Sequence, residues 1–159
     1  MIIEVFPSGQ LRWRTNAFRC ALGRGGVTRT KVEGDGATPV GRFPLRRLHV
    51  RADRLPEIAT SLPHRAIRRT DGWCDDPAEL SYNQLIQLPF FGSHEAMWRA
   101  DGLYDLVVEI GYNDDPPKPG LGSAIFMHVA KPGYQPTDGC VALALQDLKS
   151  LLAEITPST

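Results

Sequence analysis

The chain has 159 residues, 42% of them hydrophobic and 23% charged, enough for one core and too few for two, so a single domain over 1–159 is expected. Eighteen Lys and Arg balance eighteen Asp and Glu, which argues against general nucleic-acid binding. No apolar run approaches the roughly 18 residues of a membrane helix, so no transmembrane segment is expected.

Fifteen glycines and thirteen prolines suit a loop-rich β protein better than a helical bundle. The amino terminus, Met-Ile-Ile-Glu-Val-Phe-Pro-Ser-Gly, lacks the basic and apolar regions of a signal peptide. It reads as a strand over Ile2 to Phe6, turned by Pro7-Ser8-Gly9 toward Leu11 to Trp13. Phe18, Cys20 and Leu22 alternate with Arg19 and Ala21 as a half-buried strand that stops at Gly23 to Gly26. Gly34-Asp35-Gly36 is a further turn, and Phe43 to Val50 returns as a strand. The glycines are not a phosphate loop, because no Gly-Lys-Ser/Thr and no helical pattern follow. Residues 52–70 have no clean period and read as an irregular, arginine-rich excursion.

Ser93 is placed to cap a short helix through Arg99, with Glu95 near its positive end. Leu103 to Ile110 is a strand, and the proline-rich run Asp114 to Gly122 is a surface loop. Ala124 to Val129 is the next strand, with Ala124, Phe126 and His128 on one face and Ile125, Met127 and Val129 on the other. A short run follows at Val141 to Leu143. Leu145, Leu148, Leu151, Leu152 and Ile155 then form a helical stripe. The expected class is mostly β, with minor α+β character.

Charge is unevenly distributed. Arg42 to Arg69 holds eight arginines against Asp53 and Glu57, whereas Asp71 to Lys118 holds ten acids against Arg99 and Lys118. Pairing of the two segments across the fold is the favoured reading. The functional alternative is arginines that meet an anionic substrate.

The chemistry-bearing stretch is Ser123 to Ala142, where His128 ends an apolar run and Cys140 follows a glycine. A thiol attacks as thiolate; a nearby imidazole can take its proton, and a glycine frees backbone N–H groups to face an oxyanion. Cys20 and Cys74 read as small core residues, and an odd count of three implies no disulfide framework. No cysteine has a second Cys or a His within four residues, so no metal is expected. His49, His64 and His94 show no partner pattern and read as surface or capping residues.

Thr137-Asp138-Gly139-Cys140, with His128 twelve residues upstream, resembles the signature of the L,D-transpeptidase catalytic domain (the YkuD family). Gly36-Ala-Thr38-Pro39-Val-Gly41-Arg-Phe43 is similar to the family's Thr-Pro-x-Gly-x-Phe motif. Trp73-Cys-Asp-Asp-Pro, Ser81-Tyr82-Asn83 and the run Tyr104 to Asn113 look like a compact branch that consists of little beyond this domain.

The resemblance implies a β-sandwich with a short helix and a C-terminal helix. It makes Cys140 the nucleophile, His128 the general base and the backbone N–H groups of Asp138, Gly139 and Cys140 the oxyanion donors. Thr137 would brace the turn, and Trp73, Tyr82, Asn83, Tyr112 and Asn113 would be groove residues for substrate. Asp138 departs from the family, which carries histidine there; a carboxylate so placed disfavours the thiolate unless it hydrogen-bonds locally or holds a cation.

The implied activity is a cysteine-dependent L,D-transpeptidase that acts on peptidoglycan tetrapeptide stems through a thioester, with no cofactor and with carbapenem-type compounds as acylating inhibitors. The alternatives are an L,D-carboxypeptidase or hydrolase using the same site, or a non-catalytic envelope-binding module. The family implies the periplasm or cell envelope, yet no signal peptide is visible, which leaves a cytoplasmic role open.

Overall fold

A computed structural model describes residues 1–159. Thirteen short strands form three sheets, followed by one α-helix. The strands are β1 (Glu4–Phe6), β2 (Gln10–Trp13), β3 (Asn16–Ala21), β4 (Val27–Thr28), β5 (Thr38–Pro39), β6 (Leu45–Val50), β7 (His64–Ala66), β8 (Asp71–Cys74), β9 (Leu85–Gln87), β10 (His94–Ala96), β11 (Leu106–Ile110), β12 (Phe126–Val129) and β13 (Val141–Leu143). The helix α1 is Leu145–Glu154.

The main sheet runs β1-β2-β3-β13-β12-β11-β6-β7, and a smaller one runs β10-β8-β9. β4 and β5 pair separately in parallel. β12 and β13 lie at the centre of the main sheet and are apolar throughout apart from His128, as suits strands covered on both faces. The β1–β2 turn closes through the Gly9 N–H on the Phe6 carbonyl at 3.0 Å, with Gly9 at φ +79°.

Side-chain alternation divides the core into two layers. Leu106, Val108, Met127, Val141 and Leu143 face one way and meet Leu148, Leu151, Leu152 and Ile155 of the α1 stripe. Val107, Phe126 and Cys140 face the other way and pack with Trp73, Met97, Leu103 and Tyr104. The small sheet, through Trp73, thus covers the face that carries Cys140. The Trp73 ring stands edge-on to Phe126 with centroids 5.0 Å apart.

Several expectations need correction. Ser93 to Arg99 forms no helix: β10 pairs antiparallel with β8, His94 opposite Cys74 and Glu95 opposite Trp73. The Ser93 N–H donates to Asp76 Oδ2 at 3.1 Å, so pairing with β8 overrides a seven-residue helix that lacks a nucleus of its own. The short helical element is instead a single 3₁₀ turn at Pro132–Tyr134. The arginine-rich stretch is not wholly irregular, because β7 adds a three-residue edge strand parallel to β6. Ala124 sits at φ +52°, outside extended geometry, so the strand begins at Phe126. His49 is fully buried, its Nε2 2.5 Å from Glu109 Oε1.

The two charged segments do pair across the fold. Arg46 meets Asp114 at 2.9 Å, Arg54 meets Asp105 at 2.8 Å, and Arg65 meets the buried Asp71 at 2.9 Å.

Candidate active site

The register of β12 and β13 builds the site. They pair in parallel, Met127 with Val141 and His128 with Ala142, which puts Cys140 level with Phe126, two residues before His128 on the same face. A parallel pair separates the ends of its connecting loop, so the loop does not bring thiol and imidazole together. The register leaves the two side chains two residues apart along one face of neighbouring strands.

Both side chains are buried, Cys140 at 7% exposure and His128 at 6%. The Cys140 thiol donates to the Ala124 carbonyl at 3.2 Å and accepts the Phe126 N–H at 3.4 Å. His128 Nδ1 lies 2.9 Å from the Val129 carbonyl. A carbonyl can only accept, so Nδ1 carries the hydrogen and Nε2 keeps its lone pair. The group that orients the imidazole is therefore main chain.

Burial pushes the Cys140 thiol up to about 12, aided by the Glu95 charge and opposed by the Phe126 N–H and Lys31. Burial likewise pushes His128 down to about 4. The resting pair at neutral pH is thiol and neutral imidazole. The sulfur must leave the Ala124 carbonyl before it can attack.

The turn before Cys140 is tightly specified. Gly139 has φ +130°, and a Cβ there would lie 2.8 Å from the Ala37 carbonyl oxygen. The glycine-rich stretch is the other half of that contact: a Cβ on Gly23 would meet the Gly36 carbonyl oxygen at 2.2 Å. The Arg24 N–H bonds the Thr137 carbonyl at 2.8 Å and the Thr137 N–H bonds the Leu22 carbonyl at 2.9 Å. Thr38 Oγ1 receives the Gly23 N–H at 2.9 Å, which gives this threonine a structural task. The glycines thus let β3's exit press against the cysteine turn.

Thr137 Oγ1 donates to the Cys140 carbonyl at 2.7 Å and takes the Gly139 N–H at 3.1 Å. Gly139's N–H is therefore committed within the turn, whereas the N–H groups of Asp138 and Cys140 have no protein acceptor. The Asp138 carboxylate pairs with the Arg24 guanidinium. It does hold a cation, which offsets its effect on the neighbouring thiol.

The expected groove residues are engaged inside the chain. Asn83, 6% exposed and at φ +57°, accepts the Trp73 indole N–H at 3.0 Å and the Ala124 N–H at 2.9 Å. Its amide donates to the Tyr112 and Asn113 carbonyls at 3.1 and 2.8 Å. Tyr82, 2% exposed, donates to Glu33 and accepts the Gly122 N–H at 3.0 Å. The Tyr112 hydroxyl donates to the Leu121 carbonyl at 2.6 Å, and the Asn113 amide ties the 118–122 loop through the Lys118 and Gly122 carbonyls. These side chains brace the segment that leads into β12, and Trp73 and Asn83 also border an open cavity with Arg46, Arg47, Glu109 and Phe126.

Asn83→Ala strands two buried donors and two carbonyls, and is expected to cost about 3 kcal/mol or more. Urea denaturation monitored by tryptophan fluorescence measures it.

Three residues to which the sequence assigned no part in the site, Tyr104, Glu95 and Lys31, lie near His128 or Cys140. The Tyr104 ring lies 5.3 Å from the His128 ring, and its hydroxyl donates to Glu95 Oε2 at 2.6 Å. Lys31, its side chain 4% exposed, bonds Asp35 at 2.6 Å.

A thiol and an imidazole on adjacent strands of a mostly β scaffold, beneath a glycine turn, are the kinds of group that thiol acyl transfer would require. The chain belongs to the L,D-transpeptidase catalytic domain (YkuD) family, whose model matches residues 2–159. Members of that family are L,D-transpeptidases, and membership implies peptidoglycan substrates. No curated protein and no solved structure matches the chain. No helix is long and apolar enough to cross a membrane.

Proposed function

We propose that the protein is a cysteine-dependent L,D-transpeptidase of peptidoglycan, with residues 1–159 acting as one catalytic unit in the cell envelope. The observation that carries the reading is the β12–β13 register, which sets Cys140 and a His128 with a free Nε2 on one buried face.

In the proposed reaction Nε2 takes the thiol proton as Sγ attacks the stem carbonyl that bears the terminal D-alanine. The tetrahedral oxyanion meets the Asp138 and Cys140 N–H groups. The C–N bond breaks, the imidazolium returns the proton to the leaving amine, and a thioester remains on Sγ. An amine from a second stem then attacks the thioester and gives its proton to Nε2. The new amide forms and the thiol is released. Because both groups rest neutral, the step is a proton transfer coupled to attack and not the action of a preformed ion pair.

The test is mass spectrometry of the protein with a purified tetrapeptide stem, with and without a D-amino acid acceptor. The expected result is a stem-minus-alanine adduct on the peptide that contains Cys140, released D-alanine, and exchange product when the acceptor is present. Free acid alone would make water the acceptor and the protein a carboxypeptidase. Absence of both adduct and released alanine would overturn the reading. A carbapenem, whose strained carbonyl is open to the same attack, is expected to leave a stable adduct at the same cysteine.

A further inference from the structure

The pairing of β6 with β11 carries one bulge. Val108 stands opposite Leu48 and Ile110 opposite Leu45, so two β6 residues, Arg46 and Arg47, oppose Glu109 alone. On its other side Glu109 pairs with Phe126 of β12, and Phe126 lies level with Cys140 of β13. Glu109, Phe126 and Cys140 therefore form one row on one face of the sheet. Glu109 and Cys140 are two strand spacings apart in that row, about 10 Å between backbones. Beside it opens a cavity of about 460 Å³, bordered by Arg47, Glu109, Trp73 and Phe126 and by Arg46 with Asp114.

The carboxylate in that wall is held from behind. His49 is fully buried, and its Nδ1 lies 3.4 Å from Arg65 Nη1, which can only donate. His49 Nε2 then carries the hydrogen and donates to Glu109 Oε1 at 2.5 Å. Arg65 is fixed in turn by the buried Asp71 at 2.9 Å. Glu109 Oε2 is left without a protein partner. Arg46 is spent on Asp114, with bonds of 2.9 and 3.3 Å. Arg47 is exposed and pairs neither with Glu109 nor with any other acid. The cavity thus offers one free cation and one half-used anion, and its four charges sum to zero. A polyanion or a polycation would meet as much repulsion as attraction there, whereas a group that carries both charges satisfies both walls.

We propose that this cavity is a subsite for a zwitterionic α-amino acid group, its carboxylate on Arg47 and its ammonium on Glu109 Oε2. Trp73 and Phe126 supply the apolar wall for the methylenes that carry the group. Two sources present this chemistry: a free amino acid, and the end of a long side chain on a peptide held at the thiol. Two strand spacings put an ammonium at Glu109 out of reach of Sγ, so the group held there is not the reacting amine. A side chain of several methylenes spans the gap across Phe126. The inference deepens the proposed reaction, on which its choice of ligand rests, by giving Arg47 and Glu109 the selection among donor stems.

The experiment is titration calorimetry of Cys140→Ala protein with two tetrapeptide stems. In one, the side chain before the terminal D-alanine ends in an ammonium and a carboxylate on one carbon (diaminopimelate); in the other it ends in the ammonium alone (lysine). The diaminopimelate stem is expected to bind at least about tenfold tighter. Adding Arg47→Gln should remove that advantage and leave the lysine stem within about twofold of its former affinity. Adding Glu109→Gln, which still accepts the His49 hydrogen, should weaken both stems about tenfold. Displacement of the stem by free diaminopimelate would show that the group is held without the rest of the peptide; no displacement assigns the subsite to the side-chain end. Equal affinity for the two stems, or an Arg47→Gln effect that is absent or the same on both, overturns the inference. Binding is read without turnover, so the two readings fail separately. A stem adduct on the parent without the charge preference refutes the subsite alone, and the preference without an adduct refutes the reaction alone.

Discussion

Cys140→Ala is expected to abolish adduct formation, D-alanine release and exchange, by at least about 10³-fold. No other nucleophile shares the face. Ser123 Oγ donates to Glu33 at 2.7 Å and Thr137 Oγ1 donates to the Cys140 carbonyl at 2.7 Å, so neither hydroxyl can replace Sγ. The fold should survive, since the substitution removes one sulfur from a cluster anchored by Phe126 at 1% and Met97 at 0% exposure. The resulting cavity costs about 1–2 kcal/mol.

A second signature separates loss of the thiol from a general loosening. The folded thiol titrates at about 12 against an ordinary 9.0, so between those values the native state holds a proton that the unfolded chain has released. Parent stability must then fall as pH rises from about 9 toward 12, and Cys140→Ala must lack that part of the fall. Full activity in Cys140→Ala would remove the cysteine from the reaction altogether.

The proposed nucleophile and base stand out in the sequence because their chemistry is local: a glycine next to a cysteine, and a histidine ending an apolar alternation, lie within one stretch. The α1 stripe was legible for the same reason, because Leu148, Leu151 and Leu152 repeat at helical spacing and all are buried. Family membership followed from the motifs, and the family match over residues 2–159 shows it. What the sequence concealed is what depends on pairing between distant segments. His94-Glu-Ala has no strand signal of its own and becomes β10 only because β8 offers it hydrogen bonds. Glu95 and Tyr104 are nine residues apart, and nothing in the run that Tyr104 opens points to Glu95; their contact exists only once the small sheet folds over the large one.

Trp73, Tyr82 and Asn83, singled out by their motifs, hold distant segments together through hydrogen bonds, a task that their residue types do not announce. Aromatic and amide side chains suit a groove and suit a buried brace equally well. Which they become is decided by the φ +57° turn at Asn83 and by the backbone groups around it. The parallel pairing of β12 and β13 was equally hidden, since a loop as long as 130–140 serves either direction.

His128→Asn should separate the base from the scaffold. Asparagine can place an N–H near the position of Nδ1 and keep the bond to the Val129 carbonyl, now 2.9 Å, but it has nothing at Nε2. Without a proton acceptor the thiol, raised to about 12 by burial and by Glu95, stays protonated, and acylation is expected to fall by roughly 10²–10⁴. The same variant should alter the pH dependence of stability in a definite sense. Burial holds the native imidazole near 4 against 6.5 for the free group. Above 6.5 both states are neutral and the group is silent. As pH falls below that, the unfolded chain takes up a proton that the folded protein refuses, so stability is lost down to about pH 4, by about 3 kcal/mol in all. Carboxylates titrate in the lower part of that window in both proteins. The measurement is therefore the difference between parent and His128→Asn in urea midpoints at pH 7 and pH 4. The parent should lose about 3 kcal/mol more than the variant. Equal losses would mean that the native imidazole takes up its proton where the free group does, and a buried neutral base would then no longer account for the resting state of the site.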